Sequence, residues 1–520
     1  MVFSNVAIAL LLPVAALWAW NYFEKQSRNP NGLPYPPGPK GRLVLGNALE
    51  IPVQRPWLKF AEWSREHGDI ISLSILGQRI VVISSAKKAS EIFDQRSTKY
   101  SSRVSMPMVQ DLQVPMGYTW SFAFMPYGEA WRQHRQAFHS YFQQREVHKI
   151  CPIQLRESRA LLRRLLDTPK DFLSHCRLLF GATILDATYG LKVTSPEDSY
   201  VTNAERVVGS ISGASIPGAY WVDFLPILKY VPEWFPSAGF KRKATVWKEW
   251  GDEFLNKPWD AVKSNLDSGT ARPCFATTIM EQFPEDDAKR SQEEAVAKEA
   301  AALAYAGGAD TTVSATQFFF IAMCMFPDVQ KRAQEELDRV VGPDRLPEFG
   351  DRQHLPYICA VVKETMRWIP VASIGIPHCS TADDVYNGYF IPKGSIVMGN
   401  AWAILHDPEQ YPDPMAFKPE RFLTEDGKLN PEVPDPEAAF GYGRRICPGR
   451  FLSDNSMYSV VASVLYAFTI APPLDEAGKP VQMELKTTAD LLVSPLPFEC
   501  IIKPRSEKTA ALVRETVHDD

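Results

Sequence analysis

The stretch Phe440-Gly441-Tyr442-Gly443-Arg444-Arg445-Ile446-Cys447-Pro448-Gly449 decides how the rest of the chain is read. Gly441 and Gly443 allow tight backbone turns on the approach to Cys447. Pro448 suits the first position of a helix, and Arg450-Phe451-Leu452 can carry that helix on to about Ala467. Cys447 is therefore expected at a helix N-terminus, where the positive end of the dipole favours a thiolate over a thiol. Arg444 and Arg445 add positive charge beside it. The competing reading is a structural cysteine in a glycine-rich turn. A dinucleotide-binding loop is excluded, because the third glycine of G-x-G-x-x-G would fall on Ile446 and no strand-then-helix context surrounds it.

Working outward, the other seven cysteines are scattered, with no C-x-x-C pair, so a disulfide scaffold and a cysteine-rich zinc or iron–sulfur site are excluded by spacing. No N-x-S/T sequon occurs either, and the body of the chain reads as cytosol-facing. Of 520 residues 45% are apolar and 22% charged, the balance of an ordinary globule rather than of a disordered chain or coiled coil. The formal net charge of −5 offers no basic field for nucleic acid. The 42 prolines point to many stiffened connections.

Residues 3–23 are nearly all apolar, about the length that spans a bilayer. Trp18, Trp20 and Tyr22 lie near one end, and Lys25, Arg28, Lys40 and Arg42 follow while no basic residue precedes. That charge bias places the downstream side in the cytosol. The segment reads as an uncleaved transmembrane signal anchor over 1–24, with a cleaved signal peptide and a buried helix as the other readings. A basic, proline-rich linker fills 25–50, and 51–520 reads as one catalytic domain without repeats or flexible linkers. Periodicity predicts helices over 57–67, 87–95, 129–141, 147–166, 293–324, 329–340 and 357–368, and strands over 70–75, 79–83, 389–391 and 395–398. The class is mainly α with small β-sheets. The Pro- and aromatic-rich segment 213–240 reads either as a loop that touches a membrane or greasy ligand, or as a buried loop.

Within the longest helix, Gly307 and Gly308 each cost about 1 kcal/mol relative to alanine. They are expected where a bulky group comes close to the backbone, or where helices pack. Thr311 can bond back to the carbonyl of Gly307. Asp310 is costly in this apolar setting unless paired or functional. Glu364 and Arg367 share a helix face, which by itself means only an ordinary surface ion pair.

A thiolate is a strong ligand for haem iron and pushes electron density toward O–O cleavage. Phe440, Gly443, Arg445, Cys447 and Gly449 match F-x-x-G-x-R-x-C-x-G, and on that signature the chain resembles the cytochrome P-450 family of haem-thiolate monooxygenases. The likeness is to its microsomal class and to fungal members of the O-methylsterigmatocystin oxidoreductase type. The resemblance implies the cytochrome P-450 fold behind a single N-terminal transmembrane helix. It makes Cys447 the iron ligand of haem (iron protoporphyrin IX). Ala306-Gly307-Gly308-Ala309-Asp310-Thr311 resembles the family's distal-helix motif, in which Thr311 helps protonate bound dioxygen and Asp310 feeds it protons. Glu364, Arg367 and Arg421 of Pro419-Glu420-Arg421-Phe422 resemble E-x-x-R and P-E-R-F and imply a cluster bracing the haem-binding core. Trp131 and Arg135 match W-x-x-x-R and, with His378 and Arg445, are expected at the haem propionates.

By the same resemblance, substrate-lining segments are 104–124, 213–240, 305–309, 371–375 and 491–493, and their apolar character suits a lipophilic substrate. The implied partners are an NADPH-dependent flavoprotein reductase, docking where Arg444 and Arg450 lie, cytochrome b5, and the endoplasmic reticulum membrane crossed once. The implied reaction inserts one atom of dioxygen into the substrate. The alternative is a haem-thiolate isomerase or dehydratase that uses no dioxygen.

Overall fold

The computed structural model describes residues 27–110, 118–215, 220–223, 226–232, 234 and 238–516. The expected anchor over 1–24 lies outside them, as do 111–117 and parts of 213–240. Among the described residues no single helix is long and apolar enough to cross a membrane.

The longer helices are α1 (Pro56–His67), α2 (Glu129–Phe142), α3 (Cys151–Asp167), α4 (Phe172–Tyr189), α5 (Ser199–Ala214), α6 (Gly239–Asp267), α7 (Asp287–Met325), α8 (Pro327–Val340), α9 (Pro356–Trp368), α10 (Arg450–Ala467) and α11 (Glu507–Glu515). The strands are β1 (Ile70–Ile75), β2 (Gln78–Ile83), β3 (Ser102–Arg103), β4 (His378–Cys379), β5 (Asp384–Tyr386), β6 (Tyr389–Ile391), β7 (Ile396–Gly399), β8 (Phe468–Ala471) and β9 (Ile501–Pro504). The protein is mainly helical with small sheets, and all seven expected helices and all four expected strands have a counterpart.

Three differences have physical reasons. The segment expected as one helix over 87–95 is a short α-helix at Ala86–Ala89 that widens into a π-helical turn at Ser90–Gln95. Such a turn re-aims side chains, and here Phe93 meets both His378 (ring centroids 4.5 Å apart) and Tyr442 (5.2 Å). Helices α4, α5 and α6 are not among the expected helices. In α4, fifteen of eighteen residues are buried, so no polar stripe marks a period; α6 contains Pro258. The helix after Cys447 begins at Arg450, so Pro448 lies in the preceding turn and not in the helix.

The five-stranded sheet has the order β1-β2-β7-β4-β3. Its edge pairs Arg103 with His378 and Ser102 with Cys379. Residues 34–39 lie along this globule: Ser72 donates from its backbone N to Pro37 O (2.7 Å), and Phe390 N donates to Pro34 O (2.8 Å).

Helix α7 passes between two apolar clusters. Phe318, Phe319 and Phe320 belong to one, with α3, α4, α9 and α10, and Ala300–Ala302 belong to the other, with α2, α5 and α6. Helix α9 is held at its start from outside: Glu336 of α8 accepts from the backbone N–H of Tyr357 and of Ile358, both at 3.0 Å. These are orphan donors of the first turn, and Pro356 offers none. Glu336→Ala is expected to cost about 1–3 kcal/mol, read as a lower denaturant midpoint with an unchanged slope.

Candidate functional site

Cys447 ends a loop closed by its own backbone N–H, which donates to Phe440 O at 2.7 Å. Two glycines shape that loop with positive φ, +87° at Gly441 and +56° at Gly443. Cys447 is half-buried, and its sulfur faces the turn at Gly449, where a Cβ would stand 3.9 Å from it. The backbone N–H groups of Gly449 and Arg450, with the charges of Arg135 and Arg450, act to lower the thiol pKa, but burial outweighs them and raises it. A cation bound at the sulfur would favour the thiolate.

Around this loop gather arginines that meet no carboxylate among the described residues. Arg445 is buried, donating to the backbone oxygens of Ser101 (2.8 Å), Phe122 (3.2 Å) and Met125 (2.7 Å), and lies 4.3 Å from the Trp131 ring centre. Arg103 donates to Ala123 O (3.0 Å) and to Ile376 O (2.5 Å). Arg135 makes no hydrogen bond or ion pair among the described residues. His378 is buried beside them with Tyr100 O 2.6 Å from its Nδ1. Burial, with the like charge of Arg135, pushes Arg445 down to about 9, and burial takes Arg135 to about 10. Burial next to Arg445 depresses Arg103 strongly, and burial beside Arg103 and Arg445 does the same to His378.

Two buried guanidiniums, Arg103 and Arg445, with half-buried Arg135 beside them, repel one another and face no acid among the described residues, which fits a dianionic group that supplies the missing charge. Sequence reasoning missed Arg103. It sits on a two-residue strand with no local motif, and only its register opposite His378 shows where it belongs.

The distal side is built by α7. Its flanks are buried, yet residues 307–311 are exposed or only partly covered. The two glycines there differ. A Cβ on Gly308 would lie 2.7 Å from Ile184 Cγ1, so that glycine admits α4, whereas a Cβ on Gly307 would meet nothing within 4 Å. Thr311 donates to Gly307 O at 2.7 Å, the expected back-bond. Its neighbour Thr312 lies 3.2 Å from Ser453 Oγ, tying this part of α7 to the first turn of α10. Helix α2, carrying Trp131 and Arg135, joins α7 through His134 Nε2 and Glu299 Oε2, 2.7 Å apart. Asp310 turns elsewhere, toward α4 and α5. Burial raises its pKa, Arg177 pulls it down and Glu205 pushes it up.

Glu364, Arg367 and Arg421 meet. Glu364 accepts from Arg367 Nε (2.7 Å) and Nη2 (2.9 Å) and from Arg421 Nε (3.1 Å). The Glu364 and Arg367 side chains are both 0% exposed, which makes the surface-pair reading wrong. In the 213–240 segment Val222 is buried, while Trp221, Ile227, Tyr230 and Trp234 are exposed.

With this geometry in place, comparison with known proteins is informative. The family described as Cytochrome P450 matches residues 36–501. The chain is 44% identical over 516 residues to cytochrome P450 monooxygenase COX1 of Coprinopsis cinerea, covering 98% of this chain and 99% of that one. It is 44% identical over 515 residues to COX2 of the same fungus, covering 99% and 96%. It is 38% identical over 478 residues to tryptamine 4-monooxygenase of Psilocybe cyanescens, covering 91% and 93%.

Proposed function

The chain belongs to the cytochrome P450 family and is a haem-dependent monooxygenase, and on that premise we propose that Cys447 is its iron ligand and that residues 307–311 of α7 form the oxygen-handling face. When bound, haem supplies the redox-active iron that activates dioxygen, so that one oxygen atom enters an organic substrate and the other leaves as water. The observation that carries the assignment is the arginine set Arg103, Arg135 and Arg445, with His378 beside it, which meets no acid among the described residues and lies next to the loop that ends in half-buried Cys447. These residues, with the Trp131 indole, would hold the haem carboxylates; Phe440, Gly443 and Gly449 shape the loop that presents the sulfur.

On α7, Gly307 leaves the backbone open. The Thr311 hydroxyl donates its own proton to Gly307 O, so it presents acceptor lone pairs to the uncovered side, and Asp310 is the group that supplies protons to it. The Glu364–Arg367–Arg421 cluster takes no part in proton or electron movement and holds the surrounding loops. Electrons come from NADPH through a flavoprotein reductase, for which Arg444 and Arg450 on the cysteine side are the docking candidates, with cytochrome b5 as a second donor. The substrate is a lipophilic small molecule.

Membrane attachment rests on two features. One is the apolar run over 1–24. The other is exposed apolar surface, with Leu43 94% and Trp234 80% exposed, of the kind that marks an interaction site. Together they favour an endoplasmic reticulum anchor with the domain facing the cytosol. The monooxygenase relatives give the isomerase or dehydratase reading no support.

The test is the spectrum of the reduced protein with carbon monoxide. Wild type is expected to give the strongly red-shifted Soret band of thiolate-ligated haem, and Cys447→Ser to lose it. A wild-type spectrum of the histidine-haem kind would overturn the assignment.

A further inference from the structure

Segment 118–124 is fixed at both ends. Tyr118 fills the notch left by Gly251 of α6, where a Cβ would stand 2.5 Å from its ring. Its hydroxyl lies 2.7 Å from Ser210 Oγ of α5 and donates to Trp247 O of α6 at 3.1 Å. At the other end Phe122 O and Met125 O accept from Arg445. Two turn bonds stiffen what lies between, Ser121 N to Tyr118 O (3.1 Å) and Phe124 N to Ser121 O (3.0 Å). The Trp120 indole stacks on Phe254 of α6, ring centroids 5.9 Å apart, and Phe254 stacks on Tyr305 of α7 at 4.5 Å. Tyr305 lies one helical step from Gly307 and the open face of α7. The segment therefore runs from the α6–α7 side of the distal region to the arginines of the cysteine loop.

Most polar side chains nearby are committed. Gln110 donates to Phe124 O, and the Tyr305 hydroxyl donates to Tyr200 O. Ser373 Oγ donates to Pro370 O at 3.0 Å, and Ser212 Oγ accepts from Leu492 N at 3.3 Å. Among the described residues of the expected substrate-lining segments, three buried groups have no partner: Trp120 Nε1, Ser121 Oγ and Ser215 Oγ. A serine hydroxyl can rotate toward an acceptor. The indole N–H cannot, because its ring is held by the stack on Phe254. Trp120 is only 3% exposed. An unpaired buried donor costs about 1–3 kcal/mol, and an indole N–H can only donate.

We propose that Trp120 is a specificity-determining residue whose Nε1–H donates to an oxygen of the substrate, so that the enzyme takes a neutral lipophilic molecule already carrying a hydroxyl or carbonyl group. The proposal rests on the lipophilic-substrate reading above and adds the polar handle. A site built to bond a substrate oxygen rejects the analogue that lacks it, because its own donor is then left unpaired. The assignment also orders the chemistry: an earlier oxygenation or hydration must supply the oxygen that Trp120 holds.

The test uses the full-length holoenzyme in phospholipid nanodiscs and probes of one skeleton, trans-decalin and the two trans-decalones. Binding is read as the shift of the Soret band on titration. Two changes remove the donor: Trp120→Phe, and site-specific replacement of Trp120 by benzothienylalanine, which keeps the ring shape and puts sulfur in place of N–H. In each, the ratio of decalone to decalin dissociation constants is expected to rise about tenfold for the better-bound decalone. The ratio cancels any packing loss, because the probes share their carbon frame. The carbon monoxide spectrum is expected to stay unchanged. Without ligand, the benzothienylalanine protein is expected to be at least as stable to denaturant as wild type, since an unpaired donor has gone. A lower midpoint there means that the N–H already has a buried partner, and overturns the proposal. An unchanged ratio for both decalones overturns it as well, as does loss of the carbon monoxide band in the benzothienylalanine protein, which would assign the donor to haem. No Soret shift from any of the three probes with the wild type defeats instead the lipophilic-substrate reading beneath it.

Discussion

Glu364→Ala is expected to give a chain that retains little haem and has lost a large part of its stability. Among the described residues the Glu364 carboxylate is the only acid touching the two buried guanidiniums of Arg367 and Arg421, and it also accepts from the backbone N–H of Lys418 at 2.7 Å. Arg367 spends its remaining donors on Leu405 O and Pro414 O, both at 2.9 Å, and Arg421 reaches Pro412 O at 2.9 Å. One carboxylate thus holds α9 against the segment that runs from Leu405 to Arg421. Its removal leaves Arg367 charged and fully enclosed, and breaking such a pair from one side costs about 3–5 kcal/mol. Against a total stability of about 5–15 kcal/mol, that approaches loss of the fold. The checks are haem per chain from the carbon monoxide spectrum and the midpoint of chemical denaturation. Glu364→Gln keeps the acceptor oxygen and is expected to fall between alanine and wild type. Full haem occupancy in Glu364→Ala would sink the bracing role.

What was legible in the sequence follows from how each element meets water. Helix α2 shows one apolar face and one polar face, so its period was read to within one residue of its end. Helix α4 is buried over fifteen of its eighteen residues, packed between α3 and α7, and a helix with so little wet surface leaves no periodic mark. At the site, Glu364 and Arg367 are spaced as thousands of surface pairs are. Nothing local to them tells that the pair is buried, and only the resemblance linked it to Arg421. The two adjacent glycines illustrate the same limit. Both break the helix-propensity rule, and the sequence offered two explanations. Helix packing accounts for Gly308, whose Cβ would meet Ile184, and does not account for Gly307, where a Cβ would meet nothing within 4 Å.

The cation cluster shows what sequence order hides most completely. Arg103 and His378 stand 275 positions apart, and a two-residue pairing between β3 and β4 brings them opposite each other. Arg445 then fixes the same neighbourhood from a third segment, through the carbonyls of Ser101 and Phe122. The burial of Cys447 is hidden for a related reason. A helix N-terminus and nearby arginines can be read from residue order, but the burial that opposes them cannot.

Gly443→Ala is expected to be the most damaging single-methyl change in the cysteine loop, and Gly449→Ala one of the mildest, although both belong to the same signature. At Gly443 the backbone has φ +56°, which alanine tolerates at about 1 kcal/mol. The larger cost is steric: an added Cβ would be driven into the carbonyl oxygen of Phe93, with Asp94 Oδ1 at 3.2 Å behind it. That carbonyl belongs to the π-helical turn that also packs Phe93 on His378 and Tyr442, so it cannot retreat without disturbing the cation cluster. Overpacking of this sort costs about 1–3 kcal/mol, and the least costly relaxation lifts the loop away, carrying Cys447 with it. At Gly449, φ is −87° and a Cβ would meet only Cys447 Sγ, at an ordinary 3.9 Å. Gly449→Ala should therefore change stability by less than about 0.5 kcal/mol. Denaturation midpoints and haem content of the two variants, measured side by side, decide the matter. Equal losses at both positions would mean that the signature glycines serve a shared backbone requirement and that the Phe93 contact is incidental.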